Sequence, residues 1–445
     1  MKKIISINQK LNNFKKKNIT VDGDKSLSIR FILFASISKG KCVALNILKS
    51  EDVISAINCL KKLGIKIKFK NDKCEVFGKG LFGFSYKKNL ILNAGNSGTT
   101  ARLLASILID AKKKIKITGD ASLKKRDMNR IIKPLSKFGA KFKSKKGKLP
   151  IIINGSKELT PINYTENLGS AQCKSAVMIA ALKTYGITKI KSLPSRNHTE
   201  LMFKNVLKIP IKTKKQKKYE LINIKGLKEF ESFNYKIPGD ISSASFLIVL
   251  TLLSRDKTLI IKNVNINPSR TGIIDILNLM GGRIKFINKK KYKGEAVADI
   301  FVRSAKKLKS IKLNPKLNSS AIDEFLLIFL VASKCKGVSI FRDLKELNKK
   351  ESKRLDWGLK ILNLIGVKTK KISNHGIKIH GKPELDLYKK YEIKGYLKDH
   401  RVFMTSIIAA LTLGGNWKIH DANSYKTSFP NFLKILKNLG AKINE

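Results

Sequence analysis

Hydrophobic residues in this chain come in bursts, each introduced by a short polar run. Six times a Gly-, Ser- or Asp-rich opening passes directly into an apolar stretch. The six are DKSLSIRFILFASI from Asp24, GNSGTTARLLASIL from Gly95, GSAQCKSAVMIAAL from Gly169, GDISSASFLIVLTLL from Gly239, SSAIDEFLLIFLVAS from Ser319 and DHRVFMTSIIAALTL from Asp399. They recur every 70 to 80 residues. Apolar positions such as Leu103, Leu104, Ile107 and Leu108, or Phe403, Met404, Ile407, Ile408 and Leu411, share one helical face. Each opening is therefore expected at a helix N-terminus.

A second pattern follows each burst: a leucine-rich helix end, a glycine and a short basic strand. It is read in LKKLGIKIKF, LSKFGAKFKSK, LNLMGGRIKF, LKILNLIGVKTK and LKNLGAKIN, with Gly64, Gly139, Gly281, Gly366 and Gly440 as helix caps. In the third copy, FKNVLKIPIK, Pro210 stands in place of the glycine turn. β-Branched segments such as KIKITG, LPIIING and TLIIKNV lie between the helices. The chain thus predicts an α/β fold of six copies of one strand–helix–strand–helix–strand–strand unit, three to a lobe. A boundary is expected at the Pro-Gly pair beginning at Pro238.

Composition narrows the class. With 445 residues and 42% hydrophobic content the chain can bury a sizeable core. Its longest apolar runs, such as FLLIFLVAS from Phe325, fall short of the roughly 18 residues that a membrane helix needs. The apolar run around Ile4 is too short for a secretory leader. The five cysteines are scattered singly, with neither a disulfide framework nor a metal-ligand spacing, so a cytoplasmic protein is expected. The net charge of +60 invites a nucleic-acid reading. However, the excess is nearly all lysine, spread along the whole chain. The dense runs KFKSKKGK from Lys141, KTKKQKK from Lys212 and KFINKKKYK from Lys285 carry few aromatics on which bases could stack. They read as solvated hairpin faces, and no nucleic-acid partner is expected.

The openings carry chemistry of another kind. Exposed N–H groups and the helix dipole make a helix start a site for phosphate or carboxylate. The first opening offers Lys25, Ser26 and Arg30, the second Asn96, Ser97, Gly98, Thr99 and Arg102, the third Ser170 and Gln172, and the sixth Asp399, His400 and Arg401. A cation in the first turn opposes the dipole, so its recurrence asks for a bound anion. Outside the openings, SRNHTE gathers Ser195, Arg196, His198 and Glu200. Arg126 precedes a helix, and KESKR brings together Lys350, Glu351 and Arg354. In the fifth opening Asp323 and Glu324 precede a wholly apolar run, so at least one carboxylate turns inward as a candidate general base.

The strings GDKSLSIR, GNSGTTAR, SAQCKSA, SRNHTE, PGDISSAS, PSRTG, AIDE, KESKR, DHR and SFPNF, in that order across nearly the whole chain, resemble the EPSP synthase branch of the enolpyruvyl transferase family. The resemblance implies a two-lobed enolpyruvyl transferase fold of six βαβαββ repeats, three per lobe, with the active site in the cleft between lobes. One lobe would span residues 22–238, on the shikimate 3-phosphate side. The other would combine 1–21 with 239–445, on the phosphoenolpyruvate side. It implies transfer of the enolpyruvyl group of phosphoenolpyruvate to the 5-hydroxyl of shikimate 3-phosphate by a monomer without metal or organic cofactor. Shikimate 3-phosphate would contact Lys25, Ser26, Arg30, Ser170, Ala171, Gln172, Ser195, Arg196, Asp323 and Lys350. Phosphoenolpyruvate would contact Lys25, Asn96, Gly98, Arg126, Gln172, Arg354 and Arg401. Asp323 would be the base at the acceptor hydroxyl, Glu351 and Lys25 would serve proton transfer at the methylene, and His400 would assist.

This chain departs from the family pattern at a few positions. Asp127 replaces a proline after Arg126, Asn348 replaces an arginine in the stretch before Glu351, and Asp22 stands where a proline often precedes the first lysine. Thr427, beside Lys426, occupies the place of a lysine. A UDP-N-acetylglucosamine enolpyruvyl transferase would carry a reactive cysteine in the loop corresponding to SLKKRDMNR, which has none. An RNA 3′-phosphate cyclase relative would lack the DHR and SFP strings. A polyanion-binding protein would not require Asp323, Glu351, Arg126 and Arg401 together.

Overall fold

A computed structural model describes residues 4–70 and 72–445; the first three residues of the expected N-terminal segment lie outside the described residues. The chain divides into two compact units. One comprises residues 23–237 together with 291–295, and the other residues 1–22, 238–290 and 296–445. Each has its own continuous apolar core.

Among the described residues each unit holds three small sheets, and the strand order repeats among them. In the 23–237 unit, Leu90–Asn93 pairs parallel with Ile115–Thr118, which pairs antiparallel with Ile151–Asn154, itself antiparallel to Lys141–Ser144. Asn163–Glu166, Ile187–Ser192, Glu220–Lys225 and Ile211–Lys215 repeat the arrangement. In the remaining sheet the parallel first strand is Asn234–Lys236, from the far end of the unit, beside Lys39–Leu45. The other unit closes its sheets in a related way. Asn18–Thr20 runs parallel to Thr258–Asn265, and Ile5–Ile7 pairs antiparallel with Gly414–Ile419. The N-terminal segment therefore supplies two edge strands to that unit.

Helices cover these sheets, and the six following the polar openings are numbered here: α1 (Lys25–Ser36), α2 (Gly98–Ile107), α3 (Ala171–Ala181), α4 (Ile241–Leu253), α5 (Phe325–Ala332) and α6 (His400–Leu413). Five begin with a side-chain cap: Asp24, Ser97, Ser170, Asp240 and Asp399 each accept a hydrogen bond from an N–H in the first turn. The fifth opening behaves differently. Its helix is interrupted, with a short Asn318–Ala321 turn of helix, then Ile322, Asp323 and Glu324 as a turn, and only then α5. Both acidic side chains leave the helix path to meet cations elsewhere in the unit.

The glycine caps are as expected: Gly64, Gly139, Gly281, Gly366 and Gly440 all have positive φ, between 74° and 111°. In the third copy Lys208, at φ 54°, takes the left-handed position ahead of Pro210. The lysine-dense runs lie on solvated hairpin strands, as expected. Lys141 and Lys143 point to solvent from one hairpin strand, Lys212, Lys214 and Lys215 from another, and Lys285, Lys289 and Lys290 from a third. Among the described residues no helix is long and apolar enough to cross a membrane.

Candidate functional site

In the 23–237 unit three helix starts present side chains from α1, α2 and α3. Asp24 caps α1 through Leu27 N at 2.9 Å, and the next residue, Lys25, pairs with Asp52 at 3.0 Å. Arg30 lies one turn further and is buried, 3% exposed. Its Nε donates to Thr199 Oγ1 (2.8 Å), Nη2 to Ser175 Oγ (3.1 Å) and Nη1 to the Ser26 carbonyl (3.1 Å). Burial, offset in part by Glu200 and Asp24, pulls Arg30 down to about 10. Arg30 thereby ties the first opening to the segment after Ser195. In that segment Ser195 Oγ is buried with no hydrogen-bond partner among the described residues, and Arg196 is half-buried. Next to them His198 Nδ1 meets Glu295 Oε1 at 2.7 Å, both fully buried.

The second and third starts interlock. Arg102 Nη1 donates to Gln172 Oε1 at 2.5 Å, and Gln172 Nε2 donates to Thr99 Oγ1 at 2.8 Å, which fixes the amide's orientation. Arg126 Nη2 donates to Asn96 Oδ1 (3.1 Å), whose amide donates to Asp120 (2.6 Å). Gly98 is what lets the two guanidinium groups converge. A Cβ there would stand 2.9 Å from Arg102 Nη1 and 3.0 Å from Arg126 Nη1. Burial first, then the neighbouring Arg126, lowers Arg102 to about 10. Concentrated positive charge at the start of α2, with Arg102 meeting an amide and a carbonyl oxygen and no carboxylate among the described residues, is what an anion site requires. Ser170 caps α3, and the loop before it is held by the buried Glu166, which accepts from Leu168 N (2.9 Å) and Ser170 N (3.1 Å).

Two departures from the family pattern have structural substitutes. Asp127 Oδ1 accepts from Asn129 N at 2.8 Å, so an Asx turn stands where a proline would rigidify the chain. Asn348 Oδ1 accepts from Leu355 N at 2.9 Å and holds the start of the Arg354–Leu364 helix. Asp22 accepts from Asn431, within SFPNF, through both side-chain and backbone N–H groups (2.5 and 3.1 Å). Thr427 Oγ1 donates to the Ser424 carbonyl, while Lys426 is exposed.

The other unit assembles a charge network around Arg354, a fully interior side chain 2% exposed. Its Nε and Nη2 grip Asp399 at 2.9 and 3.2 Å, Nη1 reaches Asp323 at 3.4 Å, and Nη2 also pairs with Glu351. Lys350 approaches Asp323 at 3.2 Å. Although burial works against its charge, these three carboxylates hold Arg354 above the usual arginine range. Asp399 is opposed by burial too, yet Arg354 keeps it below the usual carboxylate range. Asp399 also accepts from Ser352 and caps α6 through Arg401 N at 2.9 Å. Arg354, expected to face phosphoenolpyruvate, thus has its fork filled by protein carboxylates. Arg401 does not. Its one side-chain hydrogen bond is to Glu324 Oε1 at 3.3 Å, and its other guanidinium N–H groups meet no protein acceptor among the described residues.

Sequence reasoning missed part of this unit. Asp399 was seen as a helix opener, but its role as the main partner of Arg354 was not legible. The fourth opening shows no cation in its sequence, only Asp240, Ser242 and Ser243. In the structure Ser242 hydrogen-bonds Glu324 (2.6 Å), and Arg270 bridges Asp240 (2.9 Å) and Ser242 (2.8 Å). The only sequence signal was Arg270 within PSRTG.

Known proteins place this arrangement. A family model described as EPSP synthase (3-phosphoshikimate 1-carboxyvinyltransferase) matches residues 11–436. A 3-phosphoshikimate 1-carboxyvinyltransferase of Ruthia magnifica is 39% identical over 433 residues, covering 96% of each chain. One of Caldicellulosiruptor saccharolyticus is 40% identical over 428 residues, covering 96% of this chain and 97% of its own. An EPSP synthase structure from Acinetobacter baumannii superposes with a TM-score of 0.86 at 33% identity, covering 99% of both chains. The enolpyruvyl transferase NikO of Streptomyces tendae, at 13% identity and a TM-score of 0.77 over 99% of this chain and 98% of its own, shares the fold. With the repeated α/β sheets, the interlocked helix starts and a match across nearly its whole length, this chain belongs to the EPSP synthase family of enolpyruvyl transferases.

Proposed function

We propose that this chain transfers the carboxyvinyl group of phosphoenolpyruvate to the 5-hydroxyl of shikimate 3-phosphate, releasing inorganic phosphate in the route to aromatic amino acids. The observation that carries this reading is the convergence of Arg102 and Arg126 on Gly98, with Gln172 locked beside them. Such a cluster suits a small, multiply charged substrate better than an extended polymer. In the 23–237 unit, Lys25, Ser26, Arg30, Ser170, Ala171, Gln172, Ser195 and Arg196 are assigned to shikimate 3-phosphate. Asn96, Gly98 and Arg126 are assigned to phosphoenolpyruvate, with Lys25 and Gln172 serving both. In the other unit Asp323 and Lys350 serve the acceptor, and Arg354 and Arg401 the donor.

The chemistry follows from these groups. Asp323 takes the proton of the 5-hydroxyl as its oxygen bonds to C2 of phosphoenolpyruvate, while a proton is delivered to C3. Glu351 and Lys25 are the groups assigned to that delivery, with His400 assisting. The tetrahedral adduct then loses a proton from C3 and expels phosphate, restoring the double bond. Asp323 is held by Lys350 and Arg354 in this structure, so substrate binding must loosen that pairing before the carboxylate can act as a base. Five free, buried cysteines suit a reducing compartment, and we place the activity in the cytoplasm, carried by a monomer.

Phosphate release from phosphoenolpyruvate tests the reading. Turnover is expected with shikimate 3-phosphate and not with UDP-N-acetylglucosamine. The opposite preference overturns it.

A further inference from the structure

Glu324 follows the proposed base in sequence, yet its side chain has a separate surrounding. Glu324 occupies the N-cap position of α5, and its side chain makes no bond to the first-turn N–H groups. The side chain is instead 1% exposed and turned toward two other helix starts. Oε1 accepts from Ser242 Oγ of α4 at 2.6 Å and from Arg401 Nη1 of α6 at 3.3 Å. Arg270 donates to the same Ser242 hydroxyl at 2.8 Å and to the α4 cap Asp240 at 2.9 Å. Oε2 is buried and meets no donor among the described residues. A buried carboxylate with one oxygen unmatched is an expensive arrangement for stability alone.

We propose that Glu324 is a positioning residue that sets the guanidinium of Arg401 for an anionic ligand, and that Ser242 and Arg270 hold Glu324 in place. Arg401 is the group that this positioning serves. A cation in the first turn of α6 faces the positive end of the helix dipole. Its backbone N–H is already committed to Asp399, and Glu324 is its one side-chain acceptor among the described residues. Holding one Nη in this way leaves the remaining N–H groups of the fork directed elsewhere, in one orientation rather than many. Positioning partners of this kind tune affinity without touching the ligand. The inference deepens the function proposed above, in which Arg401 binds phosphoenolpyruvate, and rests on it.

The test compares Glu324→Ala, Glu324→Gln and Ser242→Ala with the unmodified enzyme in the phosphate-release assay. Glu324→Ala is expected to raise KM for phosphoenolpyruvate roughly tenfold or more, the scale of a lost hydrogen bond to a charged group. KM for shikimate 3-phosphate should stay within about twofold. Glu324→Gln keeps an acceptor oxygen for Arg401 and should recover most of the loss, while Ser242→Ala should show a smaller rise in the same direction. Equal rises in both KM values, or an unchanged KM for phosphoenolpyruvate in Glu324→Ala, overturn the inference while leaving the proposed reaction standing. If the unmodified protein shows no turnover, the proposed reaction fails by itself. Calorimetric binding of inorganic phosphate then decides the inference: weaker binding in Glu324→Ala, restored in Glu324→Gln, upholds it, and equal binding in all three sinks it.

Discussion

Arg354 holds Asp399 with two of its nitrogens, Nε at 2.9 Å from Oδ2 and Nη2 at 3.2 Å from Oδ1, both side chains being buried. Asp399 in turn caps α6, so one ion pair fixes the start of the Arg354–Leu364 helix against the start of α6.

Breaking this pair should be costly. Asp399→Asn keeps a capping oxygen but leaves Arg354 without its main counter-charge, and a loss of about 3–5 kcal/mol is expected from urea unfolding midpoints. The pH dependence has a definite sign. Asp399 sits below its ordinary value in the folded state, so its contribution is complete above the unfolded value near 4 and is lost as pH falls through the folded one. The stability gap between the parent and Asp399→Asn should therefore be flat from about pH 5 upward and shrink below about pH 4. A gap that widens on acidification contradicts the assignment.

Gly98→Ala places a methyl group about where Arg102 and Arg126 now approach. The contacts of 2.9 and 3.0 Å are to the ends of flexible side chains, so the fold should survive while the guanidinium groups move apart. KM for phosphoenolpyruvate should rise several-fold, with KM for shikimate 3-phosphate little changed. Steady-state kinetics on the two substrates separately would show this, and equal effects on both would not fit.

Asp323→Asn removes the proposed base and keeps nearly the same shape. Loss of a general base is expected to lower kcat by about 10²–10⁴-fold with modest changes in either KM. A variant with undiminished kcat would assign the proton transfer to another group.

The thiols should be silent in the native protein. All five cysteines are buried, and burial pushes Cys59, Cys74 and Cys335 up to about 12. An aromatic disulfide reagent should label none of the five in native buffer and all five in denaturant. Fast native labelling accompanied by loss of activity would run against this.

The sequence was most informative where the chain's own local rules act. Capping residues at Asp24, Ser97, Ser170, Asp240 and Asp399, and the left-handed glycines from Gly64 to Gly440, are decided by short-range hydrogen bonding and sterics. They were legible because each is written within a few residues. The fifth opening broke the pattern because Asp323 and Glu324 answer to cations 27 to 77 positions away, which local propensity does not contain.

By itself, then, the sequence determined the repeating α/β unit, the family and the positions at which charged chemistry is concentrated. Periodicity and ordered motifs are linear properties, and they suffice for those. Tertiary structure alone decided which charges meet: that Arg354 is filled by Asp399, Glu351 and Asp323 while Arg401 keeps an open fork, and that Gly98 is the space into which two arginines fit. Ion pairing depends on distance and burial in three dimensions, and residues such as Arg354 and Asp399, 45 positions apart, become partners only once the cores have packed.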